Sequence, residues 1–353
     1  MSLKKEKNIP PKKNNYLLGH KEAEDIFLSA WKNSNLHNSW LICGEKGIGK
    51  TTFAYKIIKF LLTADENKKE DYDFIKFDVN SPTVRQIEED ACYNLKLIER
   101  DFVEEDKRKI IKAIRDGNPL DEETLESFRK SSVIRIDDVR TINEFMAKTS
   151  YDNNWRIVLI DSIDDMNINS ANALLKVLEE PPAKSMLILI SHNPDKLLPT
   201  IKSRCNRLNL RPLEENDIAV LLRRYRPNLS EIEVKKIAAI SDGSVGKALI
   251  YADNNFIKYY DDLSKIIYSG ADFKINDLLE FADYAASDEG CYALAEDVIL
   301  RFLSENIKGG EKVEALLEIW QDSIKMFEET SRINMDKRQQ IIAIVYRICN
   351  IMR

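Results

Sequence analysis

Apolar residues cluster along this chain in two distinct ways. Trp40-Leu41-Ile42-Cys43, Ile157-Val158-Leu159-Ile160 and Met186-Leu187-Ile188-Leu189-Ile190 are unbroken apolar runs. Such runs mark strands buried on both faces of a parallel sheet, whereas alternation would mark a sheet with one wet face. Val133 to Ile136 reads as a further strand of this kind. Between the runs the period changes to that of a helix. Phe53, Ile57, Ile58 and Leu61 recur at helical spacing after a glycine loop, and Ala171, Leu174, Leu175 and Leu178 do so again. Asn169 or Ser170 can cap the second helix, and Pro181-Pro182 forbids its continuation. Strands alternating with helices of this length predict a doubly wound α/β domain with a parallel sheet that ends near Leu210.

Beyond Pro212 the strand signals stop and helical spacing dominates. One block runs from Leu213 to about Ala252 with a break at Gly243-Ser244. A second runs from Phe256 to Arg353 with Gly309-Gly310 as an internal turn. Its apolar stripes, such as Leu294, Val298 and Phe302 or Leu316, Ile319 and Trp320, serve a domain core, an oligomer interface, or both. Residues 65–130 differ, because runs such as Glu66 to Asp71 and Glu104 to Lys109 are mostly charge, as in an elaboration hung on the core. The expected plan is a flexible basic tail (1–15), an α/β domain (16–211) carrying the charged insertion 65–130, a small helical domain (212–255) and an all-α C-terminal oligomerisation domain (256–353).

Composition trims the function classes. A chain of 353 residues with 53 basic and 59 acidic side chains, net −6, exceeds one core and is not drawn to a phosphate backbone by its average field. Contact with nucleic acid must then be local or shared with partners. The apolar runs fall far short of the ~20 residues a membrane helix needs. Lys4, Lys5, Lys7, Lys12 and Lys13 surround Pro10-Pro11 without a following apolar core. That is a solvated tail or a basic docking arm rather than a secretory signal. Cys43, Cys92, Cys205, Cys291 and Cys349 are scattered, with no C-x-x-C pair. Neither a disulfide framework nor a zinc site is expected, and the usage fits a reducing, cytoplasmic setting.

Gly44-Glu45-Lys46-Gly47-Ile48-Gly49-Lys50-Thr51 fits G-x-x-x-x-G-K-[ST] between a buried strand and a helix. Gly44, Gly47 and Gly49 let backbone N–H groups curl around phosphate oxygens, with Lys50, Thr51 and Thr52 at the helix start. Lys50 reaches the β- and γ-phosphates, and the Thr51 hydroxyl is a ligand for Mg²⁺. Asp161, at the end of its apolar run, is the matching carboxylate for that ion. ATP with Mg²⁺ is therefore the expected ligand. Hydrolysis also wants a carboxylate to orient the attacking water, and the position after Asp161 holds Ser162. Losing a general base typically costs about 10²–10⁴ in rate. Asp164 and Asp165 are near enough in sequence to substitute, or they are helix-start and loop residues.

The segment Asp161 to Pro182, with its Ala-Asn-Ala-Leu-Leu-Lys-Val-Leu-Glu-Glu-Pro-Pro run, is followed by Ser191-His-Asn-Pro194 and Leu198-Pro-Thr-Ile-Lys-Ser-Arg-Cys205. Together they resemble the AAA+ clamp-loader subunits of bacterial DNA polymerase III. The likeness covers residues 16–252 through Leu18-Gly19-His20, the phosphate loop and Gly243 to Leu249. It implies a place in a ring with a tau/gamma motor subunit, a delta subunit and the sliding clamp, and primed DNA reached through the complex. That assembly is part of a DNA-directed polymerase holoenzyme, a nucleotidyltransferase acting in DNA replication.

Three departures resemble the non-motor, delta prime type in its alphaproteobacterial form. Ser162 stands where the motor has Glu. Gly246 stands where the motor's sensor-2 motif has Arg, with only Lys247 beside it. Cys92 alone cannot build the motor's four-cysteine zinc module. The resemblance makes Arg204 an arginine finger acting in trans on a neighbour's ATP, with little or no ATPase activity of the chain's own. Cys205 packs as a small apolar residue, and Ser191 and Asn193 are either sensor-1 groups or a strand-end turn. His20, His37 and His192 are not at metal-ligand spacing. A tau/gamma-like motor ATPase, or another P-loop protein such as a kinase or GTPase regulator, is the alternative.

Overall fold

The computed structural model describes residues 9–118, 120, 124–125, 128–147, 154–307, 312–333 and 336–352. Five strands, β1 (Ser39–Cys43), β2 (Leu95–Ile98), β3 (Arg156–Asp161), β4 (Ser185–Ser191) and β5 (Asn206–Asn209), form a parallel sheet in the order β2-β3-β4-β1-β5. The unbroken apolar runs are the three central strands, and the reason is visible in the packing. Trp40, Ile42, Ile157, Leu159, Met186, Ile188 and Ile190 face one cluster with Phe53, Ile57 and Phe60. Leu41, Cys43, Val158, Ile160, Leu187 and Leu189 face a second cluster with Ala171, Leu174 and Leu178. Each central strand thus buries both faces, every full burial of a Leu or Ile contributing about 1.5–3 kcal/mol.

Several expectations need correction. Val133 to Ile136 is not a strand: Ile134 makes one isolated bridge to Met166, and Ile136 already opens the helix Ile136–Ala147. The cap of the helix Ile168–Glu179 is Asn167, whose side chain accepts from the Ser170 N–H at 2.9 Å. Ser170 is unavailable for that task because its buried hydroxyl donates to the Ile134 carbonyl at 2.8 Å. The insertion is not merely hung on the core, since β2 lies inside it and pairs with β3. Residues 9–15 lie against the fold rather than free: Lys12 pairs with Asp90, and the buried Lys59 ammonium reaches Asn15 and Glu88, both at 2.6 Å.

Contacts divide the chain into two compact units, one holding residues 7–217 with Gly243–Gly246, the other Ile218–Asp242 with Lys247–Arg353. Among the described residues the regular structure of the second is all helical. Its longest described helices are Glu289–Ile307, Val313–Ile333 and Lys337–Met352. Leu294, Val298, Phe302, Leu316 and Ile319 are buried in its own core. The Gly309-Gly310 turn lies outside the described residues. Among the described residues no helix is long and apolar enough to cross a membrane.

Candidate nucleotide-binding site

The chain leaves β1 at Cys43, turns through the glycine loop and enters the helix Lys50–Thr63 with Gly49 as its cap. Gly47 has φ +82°, and a Cβ there would lie 2.3 Å from Ser244 Oγ. Only glycine satisfies both constraints. Lys50 is buried, and its ammonium donates to the carbonyls of Gly44 (2.7 Å) and Glu45 (2.5 Å). Burial pulls its pKa down to about 8. Thr51 Oγ1 donates to Asp161 Oδ2 at 2.8 Å, although the residues are 110 positions apart. Thr52 follows in the same turn, half-buried. The sheet order explains the meeting: β1 and β3 flank β4, so the loop after β1 and the end of β3 open at the same edge.

These residues fit Mg²⁺ and a nucleotide phosphate. Thr51 and Asp161 supply one hydroxyl and one carboxylate, and phosphates and water complete such a shell. Among the described residues no group of three or more His, Cys, Asp or Glu could hold a metal unaided.

The opposite wall is differently employed. Asp164 sits in a short turn after β3, and both its oxygens are filled. Oδ1 accepts from the Ser191 hydroxyl (3.0 Å) and the Asn193 N–H (3.1 Å). Oδ2 accepts from the His192 N–H (2.6 Å) and the Ser162 hydroxyl (3.2 Å). Asp164 is thus a tie between β3 and β4, and Asp165 pairs with Arg100 at 3.2 Å. Ser191 and Asn193 are both tied to Asp164 at the end of β4. Burial pushes the His192 pKa down, with Lys50 and Lys46 adding to the effect against Asp161 and Asp164. Its Nδ1 is buried and finds no hydrogen-bond partner among the described residues.

Gly246 lies against the loop: its N–H donates to the Gly47 carbonyl at 2.9 Å, and a Cβ there would sit 3.0 Å from Gly47 Cα. Lys247, the residue beside it, pairs through its ammonium with Asp242 at 3.9 Å within the helical unit. Arg204 is half-exposed. It pairs with Glu179 at 2.8 Å and donates to the Thr200 carbonyl at 3.0 Å. Cys205 is partly buried against the second cluster, and burial raises its thiol pKa to about 12. The saturated Asp164 and the contacts of His20, Ser244 and Gly246 with the loop escaped sequence reasoning. The one available signal was that Leu18-Gly19-His20 and Gly243 to Leu249 belong to the quoted likeness.

A family model described as DNA polymerase III, delta subunit, matches residues 19–214, more than half of the chain. Curated relatives include a DNA polymerase III subunit delta' of Pseudomonas aeruginosa, 46% identical over 89 residues, 25% of this chain and 27% of that protein. A DNA polymerase III subunit gamma of Buchnera aphidicola is 26% identical over 254 residues, 70% of this chain and 58% of that one. The chain thus spans less than two thirds of either relative. The solved structure of a gamma subunit-related protein from Thermotoga maritima aligns over 93% of this chain and 100% of its own, at 18% identity and a TM-score of 0.44. With its strand, phosphate loop and Asp161 side matched as one block, this protein belongs to the DNA polymerase III delta subunit family.

Proposed function

We propose that the chain is a non-motor, delta prime-type subunit of a clamp loader: it binds ATP with Mg²⁺ and does not turn it over at a motor's rate. The observation carrying this reading is the saturated Asp164 beside Ser162: the position directly after Asp161 holds a hydroxyl, and the next carboxylate along the chain is already committed to four donors. Lys50 would leave its two carbonyls for phosphate oxygens, and Thr51 and Asp161 would hold the ion, which when bound neutralises charge on the β- and γ-phosphates. Arg204 would act in trans on ATP held by a neighbouring tau/gamma motor subunit. Releasing it from a half-exposed pair with Glu179 costs little, since such pairs are worth about 0–1 kcal/mol.

In this reading 212–255 and 256–353 are the small helical and collar parts of a ring that also holds a delta subunit. The ring opens the sliding clamp on primed DNA in the cytoplasm. We read the retained phosphate loop together with Asp161-Ser162 and Gly246-Lys247 as the alphaproteobacterial form. The purified chain is expected to bind ATP in an equilibrium titration and to show near-background phosphate release. Turnover at a rate comparable to an assembled clamp loader would overturn the reading. The intact Thr51–Asp161 pair favours the second reading, a tau/gamma-like motor, and that same turnover assay decides between them.

A further inference from the structure

The phosphate loop carries a feature that binding alone does not require. A peptide unit is planar, with N–H and C=O pointing to opposite sides, so fixing a carbonyl outward fixes the next N–H inward. In the stretch Gly44 to Ile48 every carbonyl has an outside donor. Lys50 takes Gly44 and Glu45 at 2.7 and 2.5 Å. Ser244 Oγ donates to Lys46 O at 3.0 Å, the Gly246 N–H donates to Gly47 O at 2.9 Å, and His20 Nε2 donates to Ile48 O at 2.8 Å. These two sets of ties differ in kind. The Lys50 ties must be surrendered when its ammonium turns to a phosphate. The other three come from residues before and far beyond the loop, and none of them is needed at the phosphate.

We propose that His20, Ser244 and the backbone of Gly246 form a latch that holds the phosphate loop in its anion-binding shape before nucleotide arrives and after Lys50 has let go. His20 and Ser244 are positioning residues: they touch the loop's carbonyls and act on the ligand only through the N–H groups those carbonyls orient. The absence of a side chain at Gly246 is part of the device, because that residue's backbone must approach Gly47 closely enough to donate. Glycine at three loop positions would otherwise leave the segment free to sample many shapes, each of which binding would have to select against.

This inference rests on the nucleotide-binding reading, and the experiment separates the two. Titrating the full chain with ADP and Mg²⁺, His20→Ala and Ser244→Ala should each weaken binding about five- to tenfold, the worth of one net hydrogen bond. In the nucleotide-free protein, amide hydrogen exchange over Gly47 to Lys50 should quicken in both. His20→Gln and Ser244→Thr, which keep a donor, should restore affinity and exchange. Unchanged affinity and exchange in both alanine variants would overturn the latch, as would donor-keeping variants as weak as the alanine ones. If the parent chain binds no ADP, the nucleotide reading fails, while the exchange measurement still judges the latch.

Discussion

At the phosphate loop the polar groups are held by partners they can leave, whereas at the carboxyl ends of β3 and β4 they are spent on one another. Lys50 rests on two backbone carbonyls, and Asp161 accepts from a single hydroxyl, that of Thr51. Asp164, within the same cleft edge, accepts four donors, two on each oxygen. A carboxylate's oxygens offer about four lone-pair directions, so none remains for a water. The comparison teaches that two carboxylates on one cleft edge can be used differently: Asp161 keeps acceptor capacity, whereas Asp164 has been turned into a structural tie.

The largest expected effect concerns which cleft hydrolyses nucleotide. If this cleft binds and a neighbour's cleft hydrolyses, Arg204→Ala should leave nucleotide binding by the isolated chain intact. It should lower the ATPase of a complex reconstituted with motor and delta subunits by about 10³ or more, the usual worth of an arginine finger. An unchanged rate in that complex would remove Arg204 from the mechanism and leave it as the partner of Glu179.

The two walls can then be broken one at a time. Lys50→Ala attacks the binding wall, and loss of charge-assisted contacts to two phosphates should weaken ATP about a hundredfold in equilibrium titration. Asp164→Asn attacks the other wall. It keeps one acceptor but removes the charge that draws in four donors, so stability should fall by about 2 kcal/mol in denaturant unfolding while ATP affinity stays within a factor of about three. A large loss of affinity in Asp164→Asn would mean that the strand ends help to bind and that the division between the walls is false.

How far the sequence announced this arrangement depends on what kind of force made each part. The three central strands were legible because burial on both faces leaves an unbroken apolar run. The edge strands were not. In β5 only Leu208 is buried, and β2 runs through a stretch of dense charge, so neither edge leaves a hydrophobic record. Val133 to Ile136 misled for the opposite reason: Val133 and Ile134 are followed at once by a helix start, and apolarity alone does not distinguish the two. The phosphate loop, Lys50, Thr51 and Asp161 were legible because their chemistry fixes residue type and spacing. Asp164, His20 and Ser244 were not, because a carboxylate or hydroxyl that ties loops together has no required spacing and is recognised only when its partners are in place.

The smallest effect compares two histidines, one on each wall. Both have pKa values below the ordinary 6.5, in each case first through burial. For His20 the Ile48 carbonyl and Asp217 work against the shift and Lys50 with it. For His192, Lys50 and Lys46 deepen the shift against Asp161 and Asp164, and Nδ1 has no acceptor to reward a proton. The sign follows from proton counting. Between the ordinary value and the lower folded ones, the unfolded chain binds protons that the folded chain refuses, so stability is fully present above 6.5 and is lost as pH falls through that window. Thermal unfolding from pH 7.5 down to 5 should therefore show a declining melting temperature. His192→Gln and His20→Gln should each flatten the decline, since each removes a group whose burial lowers its pKa. A decline left unchanged by His192→Gln would show that the strand-end wall tolerates a buried charge, and one left unchanged by His20→Gln would show the same of the loop wall.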